Sequence, residues 1–164
     1  MLHAIFLQNI FVIQLMNMKK QTLLIATFLI AVISLHAQIR KIPSEVTNAF
    51  NTKFPQAKNV EWKDNLTAFE ADFKLDSSTV SASFSTKGEW QSTETKIPFE
   101  TLPSVVQDGY KKSKYTDWKN KGVKKIEQAG KPVQYRIRIE KNSFQKKYLY
   151  FDEHGQLQRD EVTV

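Results

Sequence analysis

TAFEADFKLDSSTVSASFSTKGEW, residues 67–90, is written with a period of two. Phe69, Ala71, Phe73 and Leu75 take every second place, and Ala68, Glu70, Asp72 and Lys74 fall between them. That alternation predicts a strand with one buried and one solvated face. Ser77-Ser78 interrupts it, after which Val80, Ala82 and Phe84 alternate with Ser81, Ser83 and Ser85. Ser85-Thr86-Lys87-Gly88-Glu89 then turns the chain into Trp90. The same pattern recurs downstream. Val133, Tyr135, Ile137 and Ile139 alternate with Gln134, Arg136, Arg138 and Glu140, a strand follows at about Lys146 to Phe151, and Asp152-Glu153-His154-Gly155-Gln156 leads into Leu157. Two antiparallel meanders, each closed by a glycine turn, are the frame of the fold.

Working outward, each meander is preceded by a helix signal. Ile42-Pro43-Ser44-Glu45 puts proline beside the first helical position and an acid in the first turn. Val46, Ala49, Phe50 and Phe54 follow at helical spacing, and Pro55 ends the run. Val60 and Trp62 predict a short strand before the quoted stretch, and Trp90 to Lys96 a polar one after it. Sixty positions after Ile42, Leu102-Pro103-Ser104 repeats the helix start, with Val106 and Tyr110 in the places of Val46 and Phe50. Tyr115 to Lys121 reads as an edge strand or a loop, and Val123 and Ile126 suggest a strand. The offset between copies grows from 60 at the helices to 67 at Gly88 and Gly155, so the second copy carries seven extra residues, placed around Asn120 to Gly130. Helix then strands, twice, predicts an α+β fold. We expect a tandem duplication of a helix plus antiparallel sheet unit in two layers. Six to eight strands would carry both helices on one sheet face, leaving the other open.

The helix starts at residues 42–46 and 102–106, and the Phe-x-x-x-Gly turns Phe84 to Gly88 and Phe151 to Gly155, resemble the beta-lactamase-inhibitor-like, PepSY-like family of exported bacterial proteins. The resemblance covers Ile42 to Val162. It implies a duplicated helix-plus-sheet domain, a periplasmic location and no catalytic residues. The family name records likeness of fold to a lactamase inhibitor, and fold alone does not confer inhibition.

The N-terminus points the same way. Met18-Lys19-Lys20, the apolar run Thr22 to Leu35 and the small residue Ala37 make a signal-peptide layout over residues 1–37. About fourteen apolar residues fall short of the roughly 20 needed to span a bilayer. Met18 is the better start, and residues 1–17, if made, lengthen the hydrophobic leader. Removal of residues 1–37 leaves 127 residues with 22 basic and 17 acidic side chains. The first repeat, 38–98, is charge-balanced, so the whole positive excess belongs to the second, 99–164. There is no cysteine, which excludes disulfides, thiolate metal sites and a cysteine nucleophile.

Residues able to carry chemistry are sparse. His154 is the only histidine after the leader and falls in a turn, so neither a triad nor a histidine zinc site is expected. Nucleotide-binding and hydrolase motifs are missing. Glu70 and Asp72 have the i, i+2 spacing that could bring two carboxyls to glycosidase separation. Any acidic solvated strand shows that spacing, and Lys74 is expected to pair with Asp72. Asp152 and Glu153 are too few for a calcium loop. Lysines interleaved with Tyr110, Tyr115 and Trp118 suit nucleic acid, but an exported chain seldom meets it, and solubilising charge is the simpler reading. No catalytic residue, cofactor or metal is expected.

The open sheet face is the better candidate. Glu70, Asp72, Arg136 and Arg138 lie on it, joined by Tyr148 and Tyr150 if Leu149 and Phe151 face the core. Arginine and tyrosine are enriched at protein interfaces. The expected function is a non-catalytic exported binding module, inhibitor-like, engaging an envelope or secreted protein through these residues and not nucleic acid. Arg136 and Arg138 are expected to be exposed. The alternatives are a glycan-active or other carboxylate-dependent hydrolase, and a structural or envelope-stress protein without a discrete site.

Overall fold

The computed structural model describes residues 40–163; the leader over 1–37 lies outside them. Helix α1 is Ser44–Lys53 and is followed by β1 (Lys58–Asp64), β2 (Ala68–Leu75), β3 (Ser78–Ser85) and β4 (Trp90–Ile97). A 3₁₀ turn at Phe99–Thr101 and helix α2, Ser104–Lys111, precede β5 (Lys119–Gln128), β6 (Lys131–Glu140), β7 (Lys146–Asp152) and β8 (Leu157–Val162). All eight strands form one antiparallel sheet in chain order, β1 to β8. The fold is α+β. Among the described residues no helix is long and apolar enough to cross a membrane.

Burial follows the sequence alternation. Phe69, Ala71 and Phe73 of β2 and Val80, Ala82 and Phe84 of β3 meet Val46 and Phe50 of α1 in one apolar cluster. Phe50 packs edge-on against Phe73 at 5.1 Å between ring centroids, and half-buried Phe54 packs tilted against the same ring at 4.8 Å. A second cluster gathers Val106 and Tyr110 of α2 with Tyr135, Ile137, Ile139, Leu149 and Phe151. Both helices therefore cover one face of the sheet. The two clusters do not merge. Thr93 and Thr95 of β4 pair with Glu127 and Lys125 of β5 on the helix side, and Lys125 Nζ bonds Glu127 Oε1 at 3.0 Å. A polar seam thus divides the core at the middle of the sheet.

The expectation of an edge strand or loop at Tyr115 to Lys121 holds over residues 115–118, which form a turn, and is corrected from Lys119 onward. Residues 119–128 form one ten-residue strand, and it is central, paired with both β4 and β6. Two register shifts, at Asn120/Gly122 and Ile126/Gln128, break its alternation. Between them, Val123 faces the second core, whereas Ile126, three residues on, pairs with Glu94 and Gln134 on the opposite face.

Candidate functional site

The face away from the helices is crossed by a ladder of charge from edge to edge. On β1, Lys63 Nζ donates to the carboxylates of Asp72 and, at 3.5 Å, Glu70 on β2. Ser81 on β3 donates to Asp72 from the other side. Lys74 does not pair with Asp72 as expected; its ammonium donates to Thr79 Oγ1 at 2.6 Å. Partial burial opposes ionisation of Asp72, but the hydrogen bonds from Lys63 and Ser81 outweigh it and hold the carboxyl below its usual range.

In the middle of the sheet, Glu94 of β4 takes two cations on one oxygen. Lys124 Nζ and an Arg136 terminal nitrogen each donate to its Oε2 at 2.8 Å. The Arg136 guanidinium also lies 4.9 Å from the Tyr148 ring centre. Beyond it, Arg159 of β8 stacks 3.7 Å over Tyr150 and donates through Nε to Glu161 at 2.8 Å.

Glu70, Asp72, Arg136, Arg138, Tyr148 and Tyr150 all share this face, as their cross-strand pairings require. They do not form a single cluster, because Glu70 and Asp72 stand on β2 and the others on β6 and β7. Arg138 is exposed and Tyr148 half-buried. The expectation of exposure is not met at Arg136, and Tyr150 is buried on this face. The Arg136 side chain is only 18% accessible, drawn down onto Glu94 and Tyr148. Tyr150 is 6% accessible, because its two paired neighbours, Arg136 and Arg159, flank the ring. Sequence reasoning missed Lys63, Glu94 and Lys124, which link the ladder across strands. The alternation Ser92, Glu94, Lys96 could have placed Glu94 on the face, but its partners stand far off in sequence.

Two hollows flank the Glu94 ion pairs. One, about 420 Å³, is lined by Lys63, Glu70, Asp72, Ser81, Glu94 and Lys124 among others. The second, about 230 Å³, is lined by Lys96, Lys121, Lys124, Arg136, Arg138 and Tyr148 with Gly122 and Val123. No grouping of acids and histidines that could hold a metal ion occurs among the described residues. His154 sits exposed in the last turn, where Asp152 Oδ1 accepts the backbone N–H groups of His154 and Gln156, each at 2.9 Å.

The family model described as "Putative beta-lactamase-inhibitor-like, PepSY-like" matches residues 67–159. The chain belongs to this PepSY-like family. Solved structures with the same fold include a BLIP-like protein from Bacteroides fragilis NCTC 9343, 23% identical with TM-score 0.72, covering 77% of this chain and 89% of that one. A DUF2874 family protein from Bacteroides ovatus ATCC 8483 is 22% identical with TM-score 0.70, over 73% and 86% of the two chains. A protein described as one of the "putative periplasmic proteins" of Bacteroides eggerthii DSM 20697 is 20% identical with TM-score 0.70, over 73% and 88%. At these identities the likeness is one of fold. No curated protein matches the chain.

Proposed function

We propose that this PepSY-like protein is a non-catalytic, exported binding module that engages an envelope protein through the open sheet face, in the manner of an inhibitor. The observation that carries the reading is the charge ladder. Its polar groups are held in fixed geometry over eight strands, on a face that no helix among the described residues covers. A preorganised polar face with paired charges suits a partner of complementary pattern and disfavours wrong ones. The carboxylate hydrolase draws no support from Asp72, since a general acid needs a raised pKa and this one is lowered. Export is supported by the signal layout of residues 1–37 and by the periplasmic description of the Bacteroides eggerthii structure. The matching helix starts and glycine turns support descent from a duplicated helix-plus-four-strand unit.

The test is site-specific photo-crosslinking in cells. A crosslinker at Gln134, on the same face and outside both hollows, should trap one envelope protein, and a crosslinker at Asn48, exposed on α1, should not. Glu70→Lys combined with a crosslinker at Tyr148 should cut the yield several-fold. Equal trapping from both sides of the molecule would mean that the sheet face is only solvated surface. Arg136→Glu is a poor probe, because it would set a second carboxylate against Glu94.

A further inference from the structure

The smaller hollow is unusual in its charge. Lys96, Lys124 and Arg136 occupy directly paired positions on β4, β5 and β6. Like charges placed opposite one another on neighbouring strands destabilise a sheet. Glu94 answers Lys124 and Arg136 together. Among the described residues Lys121 has only Glu140, at 3.8 Å. Lys96 and Arg138 have no carboxylate partner among the described residues, and both are exposed. Among the described residues the lining thus holds five cationic side chains and no acid.

The backbone builds this hollow. Asn120 pairs with Ile139 and Gly122 with Arg138, so Lys121 is the extra residue of a β-bulge. Gly122 has φ +145°, and Asn120 Oδ1 accepts its N–H at 2.8 Å. Paired with Arg138, Gly122 holds an open-face position without a side chain, and a Cβ there would meet nothing within 4 Å. The bulge therefore does two things at once. It empties one place in the row and adds a lysine to the rim, as bulges beside functional sites re-aim side chains.

We propose that this hollow is a subsite for one compact oxyanion, a carboxylate or phosphate group, held by Arg138 and Lys96, with Lys121 and Lys124 flanking and Tyr148 as a wall. Arginine offers the planar fork that matches such a group, and lysine the point charge. At about 230 Å³ the space is smaller than pockets for drug-sized ligands, which start at roughly 300 Å³. It suits a single anionic group with its immediate carrier. A long polyanion is disfavoured, because the neighbouring hollow presents Glu70, Asp72 and Glu94. The proposal deepens the open-face reading and rests on it only for the idea that a partner protein carries the anion.

The experiment is an NMR titration of the full chain, isotope-labelled and purified as expressed, at constant ionic strength. The probes are inorganic phosphate, the blocked dipeptide acetyl-Glu-Glu-amide and heparin. Saturable shifts should be confined to the amides of Lys121, Gly122, Arg138, Tyr148 and their neighbours, with phosphate or dipeptide, and the tighter of the two identifies the carrier. Lys96→Gln/Arg138→Gln, both exposed, should keep the melting temperature and weaken binding at least about tenfold. The proposal is overturned by an absence of saturation, by shifts scattered to lysines such as Lys111, by tighter binding of heparin spread over the surface, or by an unchanged double variant. Anion binding without crosslinking from position 134 would defeat the partner reading alone. Crosslinking without anion binding would defeat this proposal alone.

Discussion

Asp160 and Asp72 act alike near opposite edges of the sheet. Asp160 accepts from Lys147 and, at 2.7 Å, from the Tyr115 hydroxyl, which ties the segment after α2 to β7 and β8. The Lys147 hydrogen bond first, and the Tyr115 hydroxyl second, hold its carboxyl below the usual range. A carboxyl whose folded pKa is depressed contributes stability that is complete above its unfolded pKa, about 3.9. That stability is lost as the pH falls through the folded value. The urea midpoint should therefore hold between neutral pH and about pH 5 and drop below about pH 4. Asp160→Asn should lower the neutral midpoint and flatten the acid drop. Identical pH profiles for the two proteins would show that Asp160 contributes nothing through its charge. At this scale the sequence told which face Tyr150 and Arg136 occupy, because alternation is a local property. It did not tell their exposure, which is set by Arg159 and Glu94, residues on other strands.

The glycine turns show why two distant stretches share one spelling. Ser85 Oγ accepts the N–H groups of Lys87 and Glu89, and Asp152 Oδ1 those of His154 and Gln156. Gly88 and Gly155 follow with φ of +83° and +78°. Each also lies against the first turn of its own helix. A Cβ at Gly88 would come 2.5 Å from the Glu45 carbonyl oxygen, and one at Gly155 2.1 Å from that of Val105. Both contacts are to backbone, so neither can be relieved by a rotamer change. Gly155→Ala should cost about 3 kcal/mol or more, from positive-φ strain together with overpacking, measured by urea unfolding. A loss under about 1 kcal/mol would mean that the turn can move away from α2. These turns were legible because steric need leaves a residue signature. Strand β5 was legible only in part, through Val123 and Ile126. Lys125 and Glu127 on its helix side face the polar seam, so the apolar alternation that marks a strand is missing there, and its bulges interrupt what remains.

For the whole molecule, the seam at Thr93, Thr95, Lys125 and Glu127 leaves the two halves joined by β4–β5 backbone pairing, with an apolar cluster on either side. Phe73 is buried in the first cluster, so Phe73→Ala should cost about 3–5 kcal/mol. Stability need not be uniform across such a structure. Hydrogen exchange in this variant should quicken by orders of magnitude in β2 and β3 and much less in β6 and β7. Uniform loss of protection would show one cooperative unit. A cost under about 1 kcal/mol would place Phe73 outside the core. Composition and pattern gave the architecture at this scale, including both helices on one face. The division of the core could not be read in advance, because it follows from which residues of β4 and β5 meet across 36 positions at most, between Ser92 and Gln128.

Strand order in the sheet is strand order in the chain, from β1 to β8. Every ladder is made by consecutive strands, and α2 is the longest detour between two of them. Closing short loops costs little entropy, and topologies rich in local contacts fold faster than sandwiches whose partners are far apart. The sheet can therefore be laid down like masonry, each course resting on the one before. A chain delivered from its N-terminal end has β1 to β4 and their helix in hand before the second half is needed. Unpaired edges that invite aggregation are then exposed one at a time rather than all together.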